Sequence, residues 1–189
     1  VSKKEPELTK AMRSAVAEFK ANVVAGYDND QRPFIIGHPD YKYTQIPARD
    51  AKWTGNIKRS NRFPNCSYLS NWVSVDDEIT WDAEVPAGGR FEVELHYACR
   101  KKDVGAEFEL SFNGSKLRGK LTKANEVAAR GMEHDRSPRV ESYVKDWKSV
   151  KIGTIALTKG KGELTLRALK IPGEQVMDFR LLFLTRVGD

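Results

Sequence analysis

The chain has 189 residues, 40% of them hydrophobic and 31% charged, with 32 basic against 26 acidic side chains and a net charge of +6. That apolar share supports a packed core and excludes disorder throughout, and no run is apolar for long enough to span a bilayer. Both signs of charge are abundant, with no basic block and no nucleic-acid motif. A solvated surface is therefore expected, with neither nucleic acid nor a membrane as partner, and a sulfated or uronic-acid polysaccharide stays open as an anionic one.

The amino terminus, VSKKEPELTK, has no starting Met and no apolar leader core, and is read as the start of a cut or processed piece that says nothing about export of the parent. Glu5 to Val24 has the spacing of an amphipathic helix. Leu8, Met12, Ala15, Val16, Phe19 and Val23 form one stripe, with Pro6 in the first turn and Gly26 just past the end. Tyr27 to Pro39 has loop composition. Residues 1–40 are accordingly read as helix and linker left over from a preceding domain, and 41–189 as the main domain.

In that domain Tyr41 to Ile46 reads as an edge strand ending at Pro47. Asp50 to Ser74 is a long polar and aromatic loop. Ile79 to Val85 and Phe91 to Cys99 each alternate apolar with polar residues and are joined by Pro86-Ala87-Gly88-Gly89, which predicts a hairpin with one buried face. Gly105 to Phe112 and Leu117 to Leu121 flank Asn113-Gly114, a strong hairpin turn. After a charged excursion over Thr122 to Ser142, strands resume at Val150 to Leu157, Glu163 to Ile171 and Met177 to Val187. Eight or nine short strands with regular turns predict a mainly β protein, an antiparallel sandwich of jelly-roll type with one N-terminal helix. Cys99 has inward parity, so a buried free thiol is expected rather than a disulfide to Cys66.

Several runs resemble a known family. ESYVKDWKSVKIGTIAL, GKGELTLRALKIPGEQVMDFRLLFLTRV, RFPNCSYLSNW and ITWDAEVPAGGRFEVELHYAC resemble, in order, the C-terminal accessory region of bacterial formylglycine-type sulfatases of the N-acetylgalactosamine-6-sulfatase and arylsulfatase kind. The likeness covers Gln45 to Val187. It implies a galactose-binding-like sandwich akin to carbohydrate-binding modules, a parent sulfuric ester hydrolase whose catalytic domain is a partner, and a periplasmic or secreted location. Sulfatase chemistry needs a C/S-x-P-x-R motif. Ser137-Pro138-Arg139 lacks its spacing and its nucleophile, so no catalytic residue is expected in this chain. Sandwiches of this kind often hold a structural calcium, and Asp50 and Asp178 stand in roughly the right places, although no dense acidic loop accompanies them. His38, His96 and His134 lack metal-ligand spacing and read as ordinary surface or loop residues.

A pyranose presents an apolar C–H face and a hydroxyl rim, which aromatic and polar side chains can match. Two loops have that mixture. One offers Trp53, Asn65, Tyr68 and Trp72; the other offers Asp135, Arg136, Arg139 and Glu141, with arginine forks suited to sulfate or carboxylate. Trp81 and Trp147 read as core, while core and ligand readings both stay open for Trp53 and Trp72. The leading expectation is a non-catalytic module that helps recognise a glycan. The alternative is a domain that only packs on and stabilises the catalytic domain.

Overall fold

The computed structural model describes residues 4–27, 31–63, 65–140 and 143–188 and falls into two compact units, Val1–Arg32 and Pro33–Asp189. The first holds helix α1, Pro6–Phe19, with Pro6 in its first turn as expected. The helix runs on into a π-helical turn, Lys20–Val24, and Ala25 stays right-handed, so Gly26 does not form the left-handed cap that the sequence suggests. Leu8, Met12, Val16, Phe19 and Val23 are all exposed, which leaves the stripe facing solvent.

The second unit is a mainly antiparallel sandwich, with one short parallel pairing at the edge of its first sheet. Its strands among the described residues are β1 (Phe34–Ile35), β2 (Tyr43–Pro47), β3 (Lys52–Trp53), β4 (Lys58–Arg59), β5 (Leu69–Ser70), β6 (Glu78–Val85), β7 (Gly89–Ala98), β8 (Glu107–Phe112), β9 (Ser115–Lys120), β10 (Lys148–Leu157), β11 (Gly160–Lys170) and β12 (Asp178–Arg186). One sheet runs β1-β6-β11-β8-β9, with β3 also on β6. The other runs β10-β7-β12-β5-β4, with β2 also on β12. β1 comes from the stretch read as loop: Phe34 and Ile35 pair with Ala83 and Glu84, and Ile36 is fully buried.

The expected parity holds along the long strands. Ile79, Trp81, Ala83 and Val85 of one sheet and Phe91, Val93, Leu95 and Tyr97 of the other are all buried in a shared core. Phe108, Leu110, Leu164 and Leu166 join from the first sheet, and Phe179, Leu182 and Leu184 from the second. Burying each large side chain contributes about 1.5–3 kcal/mol. Cys99 is buried and free, and burial pushes its thiol up to about 11.

The hairpin expected over Ile79 to Cys99 is not formed. β6 and β7 lie in different sheets, so Pro86 to Gly88 carries the chain across the core. Thr158-Lys159 does the same between β10 and β11 at the same end. Alternation cannot separate the two arrangements, because apolar faces meet equally well side by side in one sheet or face to face across two. Arg186 fastens this end, donating to the carbonyls of Ala87 at 3.2 Å, Gly88 at 3.1 Å and Gly37 at 2.5 Å. Gly37 sits at φ +67°, and a Cβ there would lie 2.3 Å from the Phe91 ring. The Asn113-Gly114 hairpin does form, with both residues at positive φ and β8 paired to β9 through Phe112 and Ser115. A bulge after Ala168 turns Lys170 outward, opposite Glu107.

The outer face of the first sheet is a charged ladder around one buried carboxylate. Glu109 accepts from Arg167 Nη2 at 2.8 Å and Arg118 Nε at 3.1 Å, with Lys116 Nζ at 3.4 Å. Burial pushes its carboxyl up, but these cations outweigh burial and hold it below its ordinary 4.5. A depressed folded value gives stability that is present above the ordinary value and lost as pH falls through the folded one. The melting temperature should therefore exceed that of Glu109→Gln at neutral pH, and the difference should close on acidification below about pH 4. A constant difference across that range would show that the charge contributes nothing.

Candidate functional site

The outer face of the second sheet is built in rows across β10, β7, β12 and β2. Ser149, His96, Leu181 and Pro47 form one row; Lys151, Glu94, Phe183 and Gln45 the next; Thr154, Glu92, Thr185 and Tyr43 a third. Alternation puts all of them on the side away from the core. The face divides lengthwise. Pro47, Leu181, Phe183 and Tyr43 make an apolar wall, and the Tyr43 and Phe183 rings meet at 5.5 Å. His96, Glu94, Glu92, Ser149, Lys151 and Thr154 make a polar wall beside it. His96 Nε2 stands 3.2 Å from Glu94, and Lys151 donates to Glu92 at 2.9 Å.

A second aromatic pair closes one end of this face. Tyr68 precedes β5, where Leu69 pairs with Phe179, and Trp147 precedes β10, where Lys148 pairs with Tyr97. Their rings meet edge-on at 5.1 Å. Lys145 lies over both rings, 4.5 Å from Tyr68 and 5.9 Å from Trp147, and donates to Asp178 Oδ2 at 2.6 Å. Burial works against the Lys145 charge, but the Asp178 bond outweighs it and raises the ammonium above its ordinary range. Asn125 holds the flanking loop in place by donating to the carbonyls of Tyr97 and Asp146. The two aromatic pairs are four to six residues apart along β7, roughly 13 to 20 Å at about 3.3 Å per residue.

The sequence-selected residues do not converge. Tyr68 belongs to the cradle just described. Trp53 is half-buried against the core on β3, at the edge of the opposite sheet. Trp72 is 1% exposed and donates its indole N–H to the Asp77 carbonyl at 3.0 Å, so it is core and not a ligand contact. Asn65 is exposed and has a partner of its own. The charged excursion closes on itself: Arg139 Nε and the Tyr143 hydroxyl both donate to Asp135 Oδ2, at 2.7 and 2.9 Å, which holds the Asp135 carboxyl below its usual range. The Arg139 guanidinium also lies over the Tyr143 ring at 5.0 Å. Arg136 is exposed nearby in sequence, and Glu141 lies outside the described residues. Asp50 faces Arg49 at 3.7 Å and Asp178 faces Lys145, and among the described residues no group of three or more His, Cys, Asp or Glu could hold a metal.

Sequence reasoning placed Trp147 in the core, although it is half-buried on this platform, and treated His96 as ordinary surface. Tyr43, Phe183 and Leu181 were missed, yet they left a signal. Leu181-Leu182-Phe183-Leu184 is a continuous apolar run, which marks a strand with apolar residues on both faces.

No family model matches the chain, and no curated protein matches it. Solved structures do share its fold. The C-terminal family 6 carbohydrate-binding module of LamC, a marine laminarinase from Zobellia galactanivorans, superposes with a TM-score of 0.52 at 12% identity over 76% of this chain and 99% of that one. A family 35 carbohydrate-binding module from Clostridium thermocellum gives 0.51 at 16% identity over 78% and 100%. The mosquito-larvicidal Cry4Aa toxin from Bacillus thuringiensis gives 0.59 at 13% identity, over 83% of this chain and 25% of the toxin. The fold is thus the β-sandwich that carbohydrate-binding modules have.

Proposed function

We propose that the chain is a non-catalytic glycan-recognition module whose ligand lies across the outer face of the β10-β7-β12 sheet. The observation that carries this reading is the division of that face into an apolar and a polar wall, with ring pairs at both ends. Such a strip can stack pyranose C–H faces on one side and bond hydroxyls on the other. The sandwich fold agrees with it. The segment resemblance supports a sulfatase-like parent, and with it a periplasmic or secreted location and a glycan that carries sulfate in places. A structural calcium at Asp50 or Asp178 belongs to the same set of proposals.

Binding of the protein to a glycan array tests the reading. Tyr68→Ala with Trp147→Ala, and separately Tyr43→Ala with Phe183→Ala, should each weaken the selected glycan at least about tenfold through loss of ring area buried against sugar. A folded protein that binds no glycan at millimolar concentration, or one whose binding ignores both pairs, overturns it.

A second reading, that the module only buttresses a catalytic domain, is favoured by the exposed stripe of α1, where Leu8 and Phe19 are each 57% exposed and Met12 63%. It is tested by Leu8→Glu with Phe19→Glu, which should abolish docking on the parent catalytic domain and leave glycan binding unchanged.

A further inference from the structure

The outer face of the other sheet separates its charges. Towards β6 it carries Glu78, Asp82, Glu84 and Glu163 against Lys52 and Lys161. Towards the β9 edge it carries Lys116, Arg118, Lys120, Arg167 and Lys170 against only Glu107 and Glu109. The cations stand in two rows, on β9 and β11, on either side of the β8 carboxylates. Glu109, 1% exposed, is the anchor: it holds Arg118 by Nε and Arg167 by one terminal nitrogen. The Arg118 side chain stays 74% exposed and that of Lys116 56%. One buried carboxylate therefore orients three cations and neutralises one charge among them. Lys120 adds a fourth on the same strand while bonded to Glu107 at 3.0 Å.

We propose that this basic half-face is a second binding site, for a polysaccharide bearing sulfate or carboxylate groups, on the side of the sandwich opposite the proposed glycan platform. Two observations set the chemistry of the partner. First, the outward positions of β8, β9 and β11 hold Lys, Arg, Glu, Ser and Thr with no ring, so there is no stacking surface of the kind that single-stranded nucleic acids use. Second, on the platform of the opposite sheet Lys145 and Lys151 are each already paired with a carboxylate, Asp178 and Glu92. The Arg118 guanidinium, held by Nε, keeps its terminal N–H groups for a second oxyanion, the geometry that suits sulfate and carboxylate. Residues two apart on β9 repeat about every 6.6 Å, so the row meets a chain of anions and not a single ion.

Dextran sulfate and unsulfated dextran, identical apart from the sulfate groups, are the probes, with the full chain as the protein. Dextran sulfate should bind and plain dextran should not, with affinity falling roughly tenfold or more as salt rises from 50 to 200 mM. Lys116→Glu with Arg118→Glu and Lys120→Glu should lose at least about tenfold. An equal charge reversal on α1, Lys10→Glu with Arg13→Glu and Lys20→Glu, should change affinity by less than about twofold. Lys120→Gln, at a pair open to solvent where little stability is at stake, should lose several-fold with an unchanged melting temperature, which separates lost binding from lost folding. Tyr68→Ala with Trp147→Ala should leave dextran sulfate affinity intact, so failure of the platform and failure of this site are read separately. Equal losses from the two charge reversals, absence of dextran sulfate binding, or duplex DNA bound as tightly with the same response to the β9 variants would each overturn the proposal.

Discussion

Trp72→Ala is expected to destabilise the sandwich by about 3–5 kcal/mol, the range for removing a fully buried large aromatic. The indole is 1% exposed, its N–H donates to the Asp77 carbonyl at 3.0 Å, and its own carbonyl accepts from Val176 at 2.9 Å. The loop before β6 and the turn before β12 are thus tied through one side chain and its backbone. Trp72→Phe separates the two contributions. It keeps most of the ring and leaves the Asp77 carbonyl without its donor, which should cost about 1–3 kcal/mol. Denaturant midpoints of the two variants measure both values. If Trp72→Ala instead left stability within about 1 kcal/mol of wild type and removed glycan binding, the residue would be a ligand contact after all.

That contrast also marks how far the sequence could be read. In-out parity identified the buried members of β6, β7, β8 and β11, because a residue's side of a strand follows from its place in the alternation. Parity carries no information about which strands pair. The β6–β7 connection therefore reads as a turn within a sheet although it crosses between sheets. The short strands β1, β3, β4 and β5 have two residues each, too few for any period to show. The site was legible only in part. Tyr68 was selected, but its partner Trp147 lies far along the chain, and only the tertiary fold brings the rings to 5.1 Å. Arg139 and Asp135 have the composition of a ligand site and bond each other instead. Loop composition is the same in both cases, because a guanidinium is satisfied equally by a bound sulfate or by a carboxylate four residues away.

Asp103→Ala is expected to cost about 2–6 kcal/mol, about 1–3 kcal/mol for each of the two part-buried backbone amides it leaves without an acceptor. Asp103 sits in the 3-10 turn Lys101–Asp103 between β7 and β8 and is 0% exposed. Its carboxylate accepts from Arg100 Nε at 2.7 Å and from the backbone N–H groups of Glu174 at 2.7 Å and Gln175 at 3.3 Å. Glu174 in turn accepts from Arg100 at 2.9 Å and from Lys102. The turn before β12 is therefore clamped to the turn after β7, and it is this clamp that delivers Asp178 to Lys145 and Phe179 to the core. No side chain would fit at Gly173, where a Cβ would lie 2.3 Å from Asp103 Oδ1 and 2.4 Å from the Lys102 carbonyl. Asp103→Asn keeps an acceptor for the Glu174 amide but loses the charge that holds Arg100, so its cost should fall below that of alanine. Hydrogen exchange provides the second readout. The Glu174 and Gln175 amides should lose protection in Asp103→Ala before the amides of central β7 do, because the carboxylate that accepts from them has gone. Uniform loss of protection across both sheets would mean that the clamp is no separate unit and that the turn is held by the strands it joins.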